Sequence, residues 1–223
     1  MIGSDYGETA AVTKAGHWRF YCAAGGRAMS DEITVDRPVV LVGLMGAGKS
    51  CIGRRLAQRL RLPFVDADRE IEQAAGCSIP EIFARHGEQA FRDGERRVIL
   101  RLLESPPFVL ATGGGAFMDP RTRAAVHGKA ISIWLRADLD LLVRRTGRRG
   151  DRPLLQVDDP RAKLAELMEM RHPFYAEADL TVDSQDGPPD LTLERVLAAL
   201  AAYQPPALAK DAAAGAERRA ASS

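Results

Sequence analysis

Cysteine is scarce in this sequence: Cys22, Cys51 and Cys77 are odd in number, widely spaced and without a C-x-x-C pair. That pattern argues against a disulfide framework and against a cysteine zinc site, and it suits reduced thiols in a cytoplasmic protein. Long hydrophobic runs are absent too, none approaching the roughly 20 residues needed to span a bilayer. An excess of one charge is also missing. The 31 Lys and Arg nearly cancel the 30 Asp and Glu, for a formal net charge of +1. A general nucleic-acid-binding or membrane surface is therefore not implied, although local arginine clustering stays open. There is no repeat of solenoid period. What is there, 46% hydrophobic and 27% charged residues, fits one α/β domain with a sizeable core and ragged ends.

Residues 1–36 are rich in Gly, Ala and Thr, show no sustained period, and read as a flexible leader. It has no long apolar centre of a secretory signal, and Asp5, Glu8, Asp31 and Glu32 weaken a transit-peptide reading; Met29 is a second candidate start. Residues 204–223, Ala-rich and carrying Pro205-Pro206, read as a disordered tail. Over 37–203 apolar strand-like runs alternate with helical patterns, which predicts a parallel sheet covered on both faces. Strands are expected at 39–42, 64–65, 108–111, 131–135 and 180–182. Ser78-Ile79-Pro80-Glu81 has the form of a capping box and should start a helix that ends near Gly87. A longer helix then carries Phe91, Glu95, Val98 and Leu102 on one face, and another runs from about Asp159 to Met170. The polar, cationic stretch 147–159 between helical segments predicts a mobile lid.

The stretch Gly43-Leu44-Met45-Gly46-Ala47-Gly48-Lys49-Ser50 matches G-x-x-x-x-G-K-[ST] in full and follows the apolar run Val39-Val40-Leu41-Val42. A helical pattern, Ile52, Leu56 and Leu60, begins directly behind it, so backbone N–H groups and the positive end of a helix converge on one spot. Lys49 should reach the β- and γ-phosphates of a nucleotide, and the Ser50 hydroxyl should ligate Mg²⁺.

Asp66-Ala67-Asp68 falls at the carboxyl edge of the second expected strand, where open α/β sheets bind their ligands. One carboxylate can hold Mg²⁺ or its water and the other can accept a proton from a hydroxyl. Capping of the next helix by Asp68 is the plainer alternative. Arg92 and Glu95 are spaced as an i,i+3 pair, either a surface ion pair or an arginine held by its partner and aimed at a carboxylate. Gly113-Gly114-Gly115 marks either an awkward turn or a ligand lying against bare backbone. Arg152 in the lid and Arg171 behind the last helix are either solvated charges or cations that arrive when substrates bind. His17, His86, His127 and His172 read as background.

Taken in order, Gly43–Ser50, Asp66-Ala67-Asp68, Phe91-Arg92-x-x-Glu95, Gly113-Gly114-Gly115, Arg152-Pro153-Leu154-Leu155 and Arg171-x-x-x-Tyr175 resemble the shikimate kinase family, over about residues 38–202. The resemblance implies the three-layer P-loop α/β fold, with a five-stranded parallel sheet, helices on both faces and a mobile lid. It implies transfer of the ATP γ-phosphate to the 3-hydroxyl of shikimate, giving 3-phosphoshikimate and ADP on the way to chorismate and the aromatic amino acids. Nucleotide contacts are implied at Gly46, Ala47, Gly48, Lys49, Ser50, Cys51, Arg145 and Arg152, and metal contacts at Ser50 and Asp66. Shikimate contacts are implied at Asp68, Arg92, Glu95, Gly113, Gly114, Gly115, Arg152 and Arg171. Lys49, Asp68 and Arg152 are implied to be catalytic, Asp68 as the base, with Mg²⁺ as cofactor and ATP as co-substrate. The implied protein is a monomer in the cytoplasm, with shikimate and ATP as partners and neither nucleic acid nor membrane. A gluconate or nucleotide kinase of the same fold, and a non-catalytic sensor, are the rival readings.

Overall fold

The computed structural model describes residues 10–12, 18–20, 33–147 and 157–204. The chain divides into two units, Met1–Glu32 and Ile33–Ser223. In the first, β1 (Ala10–Val12) pairs antiparallel with β2 (Trp18–Phe20). This pairing was not legible in the leader, because two three-residue strands are too short to display a period. The rest of the leader, Cys22 and Met29 included, lies outside the described residues.

The second unit contains β3 (Val39–Val42), α1 (Lys49–Leu60), β4 (Phe64–Asp66), α2 (Ala67–Ala75), α3 (Ile79–Leu102) and β5 (Val109–Ala111). A 3-10 turn (Ala116–Met118), α4 (Pro120–Lys129), β6 (Ile131–Arg136), α5 (Leu139–Thr146), α6 (Pro160–Tyr175), β7 (Leu180–Asp183) and α7 (Pro189–Ala202) complete it. All five expected strands are present, and they form one parallel sheet in the order β4-β5-β3-β6-β7. Every residue of β3 is wholly buried, as parallel strands are when helices cover both faces. Ile33 and Val35 also pack against this core, so the packed domain begins slightly before the expected boundary at 37.

The strand order places a topological switch point at the carboxyl end of β3, with β5 on one side and β6 on the other. The phosphate-loop motif lies there, and the ends of β4 and β5 bring Asp66 and the triple glycine to the same edge.

Local sequence sets the helix boundaries. Ser78 and Glu81 form the capping box that starts α3, and Gly87, at φ 77° and ψ 174°, breaks it where the first of two helices was expected to end. The carboxyl end of α6 differs from expectation: the helix continues through Pro173 to Tyr175, so Arg171 sits within it rather than behind it. A proline inside a helix removes one hydrogen bond; here the ladder resumes at once, Ala176 N donating to the His172 carbonyl at 2.9 Å. Arg152 and most of the expected lid, residues 148–156, lie outside the described residues, as does the tail from 205.

Beside the main core, Ile71, Ile82, Phe91 and Val98 form a small separate apolar cluster that joins α2 to α3. Leu41, completely buried in the central strand, tests the main core. Leu41→Ala should cost about 3 kcal/mol of stability and lower Tm by about 10 °C, as measured by chemical and thermal denaturation.

Candidate active site

The first half of the site is made by backbone. Gly43 leaves β3 with φ 133°, and a Cβ on it would lie 2.6 Å from the Leu135 carbonyl oxygen, so only glycine fits. The loop then closes, Ala47 N donating to Leu44 O at 3.2 Å, and α1 begins at Gly48 without a side-chain cap. The N–H groups of its first turn, Lys49, Ser50 and Cys51 among them, therefore face the loop as an anion site. The Cys51 side chain is exposed; its backbone is the part that belongs to this cradle. Lys49 Nζ donates to the carbonyls of Gly43 at 2.7 Å and Leu44 at 3.0 Å.

Ser50 Oγ donates to Asp66 Oδ2 at 2.8 Å, which joins the first helix to the end of β4. Asp66 also caps α2 by accepting from Asp68 N at 3.3 Å. The capping role weighed for Asp68 thus belongs to Asp66, because the chain turns helical two residues earlier than that reading required. Ser50 and Asp66 present adjacent hard oxygens. Among the described residues no group of three His, Cys, Asp or Glu could hold a metal, so a cation here would take its other ligands from water and phosphate, as Mg²⁺ does.

Arg145 closes the far side of the loop. Its Nη1 donates to Ser184 Oγ at 2.9 Å and to Gly46 O at 3.4 Å, and its Nη2 to Gln185 O at 2.7 Å. Ser184 and Gln185 carried no sequence signal, since only the fold brings the end of β7 against the phosphate loop.

The second half of the site surrounds the triple glycine. A Cβ on Gly113 would lie 2.6 Å from Glu95 Oε1 and 3.0 Å from Asp68 Oδ1; one on Gly115 would lie 2.5 Å from Arg92 Nη1. A Cβ on Gly114 would stand 3.5 Å from Arg171 Nη1, 3.5 Å from Met45 N and 3.7 Å from Gly43 O. Asp68, Arg92, Glu95 and Arg171, which come from three helices, are thus gathered on one stretch of bare backbone that adjoins the phosphate loop. Arg92 is gripped by Glu95 Oε2 at 2.8 Å and by Glu88 Oε1 at 3.2 Å, and its guanidinium lies 5.0 Å from the Phe91 ring centre. Glu88 was missed, though its i,i+4 spacing to Arg92 was readable. Arg171 Nη1 donates to Gly114 O at 3.0 Å, and the Tyr175 hydroxyl donates to the same carbonyl.

Glu95 is 2% exposed, and its Oε1 accepts no hydrogen bond. Burial pushes its carboxyl above the ordinary glutamate range; Arg92 opposes that rise, Asp68 adds to it and Arg171 lowers it. His172 packs edge-on to Trp134 at 4.9 Å, and burial, with help from Arg136, lowers its basicity. A separate cleft of about 570 Å³ opens between α2 and α3, floored by Ile71, Ile82, Phe91 and Val98. It lies on another face of α3 from Arg92 and Glu95, and no functional carboxylate lines it.

Comparison with known proteins bears on this arrangement. A family model described as Shikimate kinase matches residues 45–201. The chain is similar to a shikimate kinase of Paramagnetospirillum magneticum, 59% identical over 169 residues that span 76% of this chain and 87% of that protein. It is similar to one of Bradyrhizobium diazoefficiens, 58% identical over 178 residues, 77% of this chain and 86% of that protein. Among solved structures, a shikimate kinase from Acinetobacter baumannii in complex with shikimate aligns with TM-score 0.71 and 40% identity, over 74% of this chain and 93% of that one.

The buried carboxyl sets a pH signature. Between the unfolded and the raised folded pKa of Glu95 the native state holds the extra proton, so stability is lost as pH rises through that window. Glu95→Gln, which mimics the protonated form, should therefore gain Tm relative to the wild type at pH 8 compared with pH 4. Thermal melts across that range check the sign of the difference.

Proposed function

The chain belongs to the shikimate kinase family, and from that premise we propose how its own residues carry the reaction. The activity is transfer of the ATP γ-phosphoryl group to the 3-hydroxyl of shikimate, giving 3-phosphoshikimate and ADP. One observation supports the assignment of residues most: at Gly114 the phosphate loop and the arginine-lined pocket share a wall, with Met45 N and Arg171 Nη1 each 3.5 Å from the same Cβ position.

The loop N–H groups of Gly46, Ala47, Gly48, Lys49, Ser50 and Cys51 cradle the phosphates. Lys49 exchanges backbone carbonyls for phosphate oxygens. Ser50 and Asp66, with water, would hold Mg²⁺, which when bound would neutralise phosphate charge. Arg145 bounds the nucleotide end. Arg92 and Arg171 clamp the shikimate carboxylate, Glu95 orients Arg92, and the backbone of Gly113, Gly114 and Gly115 lets the ring approach closely. Asp68 receives the proton of the attacking hydroxyl. Arg152, outside the described residues, is assigned to the transferring phosphate by its place in the family pattern. Because phosphoryl transfer passes through a loose transition state, positioning and charge stabilisation carry more of the barrier than base strength does.

We take the protein to be a monomer, as the family pattern implies. Widely spaced thiols favour the cytoplasm, and the near-neutral balance of charge implies no general nucleic-acid surface. Among the described residues no helix is long and apolar enough to cross a membrane.

ADP release coupled to NADH oxidation, with shikimate, quinate and gluconate as alternative acceptors, tests the reading; turnover should be selective for shikimate. Arg171→Lys should raise KM for shikimate roughly tenfold while KM for ATP stays within about twofold, because a point charge cannot reproduce a planar fork. Asp68→Asn should lower kcat by about 10²-fold or more with nucleotide affinity intact in calorimetry. Unchanged turnover would remove Asp68 from the mechanism.

A further inference from the structure

Tyr175 is 1% exposed and occupies what looks like an ordinary core position, with its ring centre 5.9 Å from Trp134 and 6.4 Å from His172. Phenylalanine would fill that space equally well. The hydroxyl is the part that packing does not explain, and it is committed to one acceptor, the Gly114 carbonyl, which Arg171 Nη1 also approaches at 3.0 Å. A carbonyl oxygen has two lone pairs, so the phenol and the guanidinium can share it without displacing each other. Tyr175 and Arg171 lie one helical turn apart on α6, and both therefore hold the middle residue of the triple glycine from the same side.

We propose that Tyr175 is a positioning residue of the acid pocket, its hydroxyl fixing the Gly114–Gly115 peptide and with it the stance of Arg171 towards the substrate carboxylate. The proposal rests on the assignment of shikimate to that pocket. Three consecutive glycines have no side chains to anchor them, and peptide planarity means that holding the Gly114 oxygen also orients the Gly115 N–H. Without the phenol, Arg171 is left as the donor to this carbonyl, and a bound carboxylate must compete with the backbone for it. Burial pushes the phenol up to about 12, so it stays a donor throughout the working pH range and is no candidate for the base.

The test compares Tyr175→Phe with Ser132→Ala. The latter removes another buried hydroxyl, one that donates to Asp179 Oδ2 at 2.6 Å at the start of β6, the sheet edge opposite the site. Both variants should melt below the wild type. Tyr175→Phe should raise KM for shikimate about 5- to 15-fold, as expected for loss of one hydrogen bond, with KM for ATP within twofold. Ser132→Ala should leave both KM values unchanged. Equal and small changes in both KM values for Tyr175→Phe would overturn the proposal. Should that variant fail to fold, difluorotyrosine placed at 175 keeps the shape and strengthens the donor; a shift of at least twofold in KM for shikimate supports the proposal, and an unchanged value overturns it. Selective turnover of shikimate by the wild type separates failure of this inference from failure of the underlying assignment.

Discussion

Everything in the site depends on the bareness of residues 113–115. Any side chain on Gly115 would begin 2.7 Å from the Arg92 guanidinium carbon, and one on Gly113 would begin 2.6 Å from Glu95 Oε1. Real Cβ atoms do not approach that closely, so helices α2, α3 and α6 can bring two carboxylates and two guanidinium groups together only because nothing projects between them. Glycine has more backbone freedom to lose on folding, and the structure restrains it at both ends. Thr112, just before the segment, donates to Leu41 O from its N–H at 3.2 Å and from Oγ1 at 3.0 Å. Just after it, Ala116 N returns to Gly113 O at 3.3 Å. Further along, Arg123 clasps the carbonyls of Phe117 and Met118 at 3.0 and 2.9 Å. The pocket wall is thus flexible by composition and held by its neighbours.

Charge around that wall is arranged for orientation more than for stability. Glu95 is nearly inaccessible and shares Arg92 with the exposed Glu88. A buried ion pair of this kind returns little net folding energy, since desolvation consumes most of the Coulombic gain. The upward push on the Glu95 carboxyl expresses the same imbalance. What the pair supplies is direction: a guanidinium seated on Phe91 and held from two sides has few other conformations open to it.

How much of this was legible in the sequence follows from the range of each signal. The phosphate loop is a contiguous motif whose chemistry resides in its own backbone, so it could be read directly. The five strands were legible because buried parallel strands are almost wholly apolar, and the break at Gly87 because a capping box and a glycine bracket the short helix. Longer-range relations were not. Asp66 and Asp68 differ in sequence by two positions, yet one turns to Ser50 and caps α2 while the other faces Gly113, a division decided by where the strand ends. Pro173 reads as a helix stop, but packing carries α6 past it and puts Tyr175 under Gly114. In a sequence, a buried tyrosine of that kind cannot be told from core. The partners of Arg145, Ser184 and Gln185, are about 40 residues distant and adjacent only because β7 lies beside β6.

The Gly43 carbonyl is where the two halves of the site acquire a common reference. Lys49 Nζ donates to it at 2.7 Å, and the Gly114 backbone lies against it, 3.7 Å from the Cβ position. Phosphate oxygens are charged acceptors and attract an ammonium more strongly than neutral carbonyls do, so Lys49 can turn to a nucleotide without the loop having to refold. Arg171, which we assign to the acid, is tied to the Gly114 carbonyl, and the Gly114 backbone lies against that same loop. A misplacement of about 1 Å between reacting groups can cost around 10²-fold in rate. The phosphate loop leaves β3 and the triple glycine leaves its parallel neighbour β5, so both are built on adjacent strand ends of one sheet, which limits that error in a way that two separately mobile loops could not. The catalytic burden of a loose phosphoryl transfer is mainly positional, and this shared anchorage answers it.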